Sequence, residues 1–160
     1  MARIRKLGTF DAKLREMAAH LGKANTVRVG FLEGATYPDG TSVATVAAVQ
    51  EFGSPANNIP PRPFFRSMIA AKSPRWGDGV ATVLKANGYD ADRALHQVGD
   101  AIKGQLQQSI VDTNSPPLAP ATIAAKSKGG TSAASLGVLG PAKPLVDTGH
   151  MLNSVDYEVS

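Results

Sequence analysis

Apolar residues recur along this chain at two spacings, and each change of spacing marks a new element. Phe10, Leu14, Met17, Ala18 and Leu21 fall at the 3.6-residue period of one helical face. Thr9 stands where a cap would sit, Asp11 falls in the first turn, and Gly22 follows the last apolar position. The pattern therefore predicts a helix from Phe10 to about Leu21. Thr26 to Phe31 alternates instead. Val27, Val29 and Phe31 share one face and Thr26, Arg28 and Gly30 the other, as in a half-buried strand. Pro38-Asp39-Gly40 marks a turn. Thr41 or Ser42 then caps a helix that carries Val43, Val46, Ala47 and Val49, runs to Phe52 and stops at Gly53.

Pro60, Pro61 and Pro63 stiffen the next segment by fixing φ and removing backbone donors. Pro63 is placed to open a helix from Phe64 to Lys72, and Ser73-Pro74 to cap the next. Trp76, Val80, Val83 and Leu84 form an apolar stripe that Gly88 ends. The longest periodic segment starts near Asp90. Ala91, Ala94, Leu95, Val98, Ala101, Ile102, Leu106 and Ile110 mark its buried face over about six turns. Gly99 and Gly104 weaken it locally.

From Asp112 to Pro144 the periodicity dissolves. Pro116-Pro117-Leu118-Ala119-Pro120 is extended, Ala121 to Lys126 has room for a helical turn or two, and Lys128 to Ser135 has the composition of a flexible linker. Val155, Tyr157 and Val159 then alternate with Asp156 and Glu158 as a second strand. The elements predict an α+β fold: a small antiparallel or mixed sheet packed against a long central helix, with a long extended loop.

Composition narrows the classes. The 160 residues suit one domain, 1–160, with a flexible loop at about 112–144. Hydrophobic content of 42% with 19% charged residues fits a globular chain, not a disordered one. The absence of cysteine excludes disulfides and thiolate metal sites. Apolar runs are too short for a membrane span. The basic start, Arg3, Arg5 and Lys6, leads into an amphipathic segment and not an apolar core, which predicts a product made and used in a cytosol. The net charge of +4 raises the prospect of nucleic acid or an acidic partner, but it is dispersed, and a solvated basic face accounts for it.

Candidate chemistry is sparse. His20, His96 and His150 have no second histidine at helical spacing, and Glu16 with His20 falls short of the three or four ligands a metal needs. No G-x-S-x-G occurs, and Gly129-Gly130 does not lead into Lys-Ser or Lys-Thr, so there is no nucleophile elbow or phosphate loop. Asp90 and Asp92 complement a helix N-terminus. Asp147-Thr148-Gly149 shares its residues with aspartic proteases, whose chemistry needs two carboxylates sharing a proton. Asp147 or Thr148 serves better as a helix cap, accepting from the N–H groups of Gly149 to Leu152. The expectation is a non-enzyme without metal or cofactor. Arg62 stands apart. Held between Pro61 and Pro63 and beside Phe64 and Phe65, its guanidinium is preorganised for a carboxylate or an aromatic face. The candidates are an internal pair with Glu51 or Asp147, or a contact to another subunit. Phe64 and Phe65 cannot share one helical face.

Three segments carry a resemblance. The first is an Ala-rich helix ending in Glu51-Phe52-Gly53, then Ile59-Pro60-Pro61-Arg62-Pro63-Phe64. The second is Leu118 with Thr122-Ile123 and Lys126. The third is Leu145, Asp147-Thr148-Gly149, Leu152 and Ser154-Val155. In this order they resemble the tail-completion (neck) proteins of tailed bacteriophages, the group that includes minor tail protein Z of lambda-like phages. The resemblance covers roughly residues 25–160 and implies a non-enzymatic virion protein. Such a protein sits in the neck, is made in the host cytoplasm, and completes the tail and joins it to the head. It implies a homo-oligomer, a hexameric ring by analogy with other neck rings. Its partners would be other neck, tail-terminator, tail-tube or head-closure proteins, with nonspecific proximity to DNA and no membrane. The interaction residues it implies are Glu51, Phe52, Arg62, Phe64, Phe65, Asp147, Thr148 and Gly149. A tail-terminator or head-closure ring protein is the near alternative, and a small basic DNA-binding protein the alternative of another class. A hydrolase using Asp147 and His150 ranks third.

Overall fold

The computed structural model describes residues 3–21, 25–128 and 142–160. Most of the Lys128–Ser135 linker lies outside the described residues. In chain order the elements are α1 (Arg3–Leu21), β1 (Val27–Phe31), α2 (Val43–Phe52), α3 (Phe64–Lys72), α4 (Trp76–Ala86), α5 (Ala91–Asp112), α6 (Pro120–Lys128), α7 (His150–Asn153) and β2 (Val155–Val159). Single 3-10 turns at Pro55–Asn57 and Ser73–Arg75 precede α3 and α4. The fold is α+β: a two-stranded antiparallel sheet packs on the 22-residue α5.

The periods explain the packing. β1 and β2 pair with Val27 opposite Val159, Val29 opposite Tyr157 and Phe31 opposite Val155, so the apolar sets of both strands fall on one face. On the other face Arg28 meets Glu158 at 2.8 Å. α5 lays Ala91, Ala94, Val98, Leu106 and Ile110 into the interior. Asp90 caps it, its carboxylate accepting from the Arg93 N–H. Gly99, which as a residue type weakens a helix, is required by packing: a Cβ there would overlap the Tyr157 ring. The core is completed by Val43 and Ala47 of α2, Phe64 and Met68 of α3, and Leu145, Val146, Met151 and Val155 from the C-terminal block. Each fully buried large side chain, such as Phe64 or Leu106, contributes about 1.5–3 kcal/mol.

Two local expectations change. α1 begins at Arg3, so Thr9 lies inside the helix and not at its start. Its apolar stripe is also not covered by the described parts of the chain, with Phe10 65% and Leu14 46% exposed. Ala101 is exposed on α5, off the buried face. Within the 112–144 stretch, α6 (Pro120–Lys128) forms where a helical turn or two was expected at Ala121 to Lys126. No helix among the described residues is long and apolar enough to cross a membrane.

Candidate interaction cleft

The proline-arginine block is held by a reversal of the chain. Gly53 ends α2 at φ 79°, where a Cβ would come within 2.8 Å of the Pro61 nitrogen and 2.9 Å of the Ile59 carbonyl. Ser54 and Ile59 exchange backbone hydrogen bonds at 2.8 and 3.0 Å and close the loop. The Arg62 N–H then donates to the Gln50 carbonyl at 2.7 Å, which pins the block against the last turn of α2.

Two buried charges flank this junction and are used differently. Glu51 turns toward α3, whose N-cap residue, Pro63, has no side chain able to cap. The Glu51 carboxylate takes that role, accepting from the Phe65 N–H at 2.9 Å and the Arg66 N–H at 3.1 Å. The Arg66 Nε donates to it at 2.8 Å, and the Arg66 guanidinium lies 4.8 Å from the centre of the Phe52 ring. Phe64 enters the core edge-on to Phe31, and Phe65 packs partly buried beside it.

Arg62 faces the opposite way. Its Nε donates to the Pro116 carbonyl at 3.1 Å and its Nη1 to the Gln50 side-chain oxygen at 3.1 Å. Neither Glu51 nor Asp147 pairs with it, so both internal ion pairs expected for Arg62 are replaced by neutral acceptors. The reason is geometric: Gln50 and Glu51 are consecutive on α2 and point to different sides of the proline block. Arg62 is 5% exposed and lines an open cleft of about 640 Å³.

The far wall comes from α6 and the C-terminal block. Lys126 donates to the carbonyls of Lys143 at 3.0 Å and Val146 at 2.9 Å, tying α6 to that block. Lys143 reaches back to the Val111 carbonyl at 3.0 Å. Gly149 takes φ 78° and Thr148 Oγ1 accepts from the His150 N–H at 3.2 Å, so Thr148 steadies the start of α7. Asp147 is exposed and makes no hydrogen bond among the described residues. His150 donates through Nε2 to the Thr36 carbonyl at 2.8 Å and stacks on Tyr37 at 4.7 Å. His150 is thus engaged away from Asp147.

Burial pulls the Arg62 guanidinium below its ordinary pKa. Lys126 is lowered as well, by burial first, with Asp147 opposing and Arg62 adding to the shift. Tyr37 is raised by burial, then by Asp147 and Asp39.

Of the residues implied by the resemblance, Arg62, Asp147, Thr148 and Gly149 line this cleft. Glu51, Phe52 and Phe65 line a smaller apolar groove on the other side of α2, and Phe64, which borders that groove, is a core residue. Gln50, Tyr37 and Lys126 were not singled out by residue pattern. Lys126 carried a signal only through its place in the second motif. No model of a known protein family, no curated protein and no solved structure matches the chain.

Proposed function

We propose that this chain is a structural protein of the tailed-phage neck that assembles into a ring, completes the tail and joins it to the head. The observation that carries this reading is convergence. The three motif segments are far apart in sequence, yet Arg62 of the first, Leu118, Thr122 and Lys126 of the second and Asp147 to Gly149 of the third line one cleft. The lining groups are held by backbone carbonyls and neutral side chains, as suits a surface built to be rigid. The exposed Phe10, Leu14 and Phe52 add apolar area of the kind that subunit contacts cover.

The test has two parts. Light scattering and negative-stain images of the purified chain are expected to give closed rings. Gold-labelled antibody on particles of a phage carrying this gene is expected to mark the head–tail joint. A monomer at all concentrations that shifts DNA in a salt-dependent way would replace this reading with the DNA-binding one.

A further inference from the structure

We infer that the cleft between Arg62 and Lys126 binds a carboxylate side chain, Asp or Glu, presented by an extended segment of another polypeptide. The chain sets one carboxylate, Asp147, on the cleft lining, and it forms an ion pair with neither cation. The chain has 13 acidic residues, and all of them lie in the described parts. Among the described residues the ion pairs are Asp11–Arg15, Glu158–Arg28, Glu51–Arg66, Asp90–Arg93 and Asp156–Lys103, and none includes Arg62 or Lys126. The segment 129–141 contains no acidic residue either.

The cleft is nevertheless prepared for an anion. Arg62 spends Nε and Nη1 on neutral acceptors, which fix the plane of the guanidinium. Its Nη2 has no acceptor among the described residues, and no unsatisfied side-chain nitrogen is sealed from solvent, so Nη2 stays open. Lys126 is likewise anchored by two carbonyls that carry no net charge. A desolvated cation held by neutral dipoles gains from a charge-assisted bond that water supplies less well.

The charge count selects a monoanion. Arg62 and Lys126 against Asp147 leave one positive charge in excess on the lining. A carboxylate balances it, whereas a phosphate dianion would overshoot beside Asp147. Leu118, Leu145, Met151 and Tyr37 add apolar wall, and about 640 Å³ is within the span that takes a short peptide stretch. This inference rests on the neck reading only in making the donor another virion subunit.

The test is an NMR titration of uniformly ¹⁵N-labelled full chain with acetyl-Leu-Glu-Leu-amide, its Gln counterpart and inorganic phosphate. The Glu peptide is expected to shift the amides of residues 147–151 and the Arg62 Nε–H saturably, about tenfold more tightly than the Gln peptide. Lys126→Met is expected to erase that preference while leaving the amide spectrum of α5 intact. Asp147→Asn, which removes the repelling charge without breaking a hydrogen bond seen in the structure, is expected to tighten Glu-peptide binding several-fold. Equal binding of the two peptides, tighter binding of phosphate, or weaker binding by Asp147→Asn would overturn the inference. A ring that binds neither peptide would sink the cleft and spare the neck reading. A monomer that binds the Glu peptide would do the reverse.

Discussion

Glu51 and Arg62 are the buried charged residues among those described, at 4% and 5% exposure, and they lie on opposite sides of one junction. Glu51 is satisfied within the chain: two backbone N–H groups and the Arg66 guanidinium converge on it. Arg62 meets only a carbonyl and an amide oxygen and keeps part of its fork open to a cleft. Both burials carry a desolvation cost. At Glu51 that cost is offset by starting α3. At Arg62 the offset within the chain is partial, and the carboxylate proposed for the cleft would complete it.

The sharpest way to break this contrast is to remove each charge and compare. Glu51→Ala strips the cap from α3 and leaves two part-buried N–H donors and the Arg66 guanidinium without their acceptor, so urea unfolding is expected to show a loss of about 3 kcal/mol. Arg62→Met is expected to cost less, about 1–2 kcal/mol. Of its two neutral acceptors, the Gln50 side chain lines the cleft and can turn to water, and the desolvated charge goes with the Arg62 side chain. A larger loss for Arg62→Met than for Glu51→Ala would reverse the assignment of the two residues.

The C-terminal block sharpens the same contrast at smaller scale. Thr148→Ala removes the acceptor for the His150 N–H and is expected to cost about 0.5–1 kcal/mol. Asp147→Asn is expected to change stability by less than about 0.5 kcal/mol, because the exposed carboxylate holds no hydrogen bond among the described residues. Thermal unfolding of the two variants side by side decides it. A larger loss from Asp147→Asn would make Asp147 the cap.

These outcomes also show what local sequence carries. α5 was legible because eight apolar positions repeat at one period and Asp90 caps them, and seven of those eight are buried or half-buried. The strands were legible because Val155, Tyr157 and Val159 repeat at period two and face Val27, Val29 and Phe31 across the ladder. The start of α1 was not, because residues 3–8 continue the helix through Thr9. At the site, the rigidity of the proline block was legible from Pro60 to Pro63, but the partner of Arg62 was not. Glu51, Asp147 and Gln50 all suit Arg62 by residue type, and which one faces it depends on the directions Gln50 and Glu51 take around α2 and on where the C-terminal block carries Asp147. Lys126 was invisible as a cleft residue because its acceptors, Lys143 and Val146, lie across a stretch with no periodic pattern.

The smallest expected effect concerns Lys126, and its sign is what matters. Burial lowers its pKa in the folded chain below the ordinary lysine value, so the unfolded chain holds this proton more tightly. Between the folded pKa and the unfolded value, the unfolded state therefore binds more protons, and stability from this group rises as pH rises. Below the folded pKa both states are charged and the contribution is flat. Lys126→Met has no such group, so stability of the native chain minus that of Lys126→Met is expected to climb through the alkaline window that ends near the ordinary lysine pKa. The difference measurement is needed because Tyr37, on the same cleft, is raised by burial and loses stability in the opposite direction as pH passes its unfolded pKa. Both chains carry Tyr37, so its contribution largely cancels. Urea unfolding of the two chains at several alkaline pH values reads the slope, expected to be smaller in total than the Thr148→Ala effect because the cleft is open to water. A difference that stays flat or falls would mean that Lys126 is hydrated like a surface lysine. The cleft would then lack the second desolvated cation on which the proposed carboxylate binding depends.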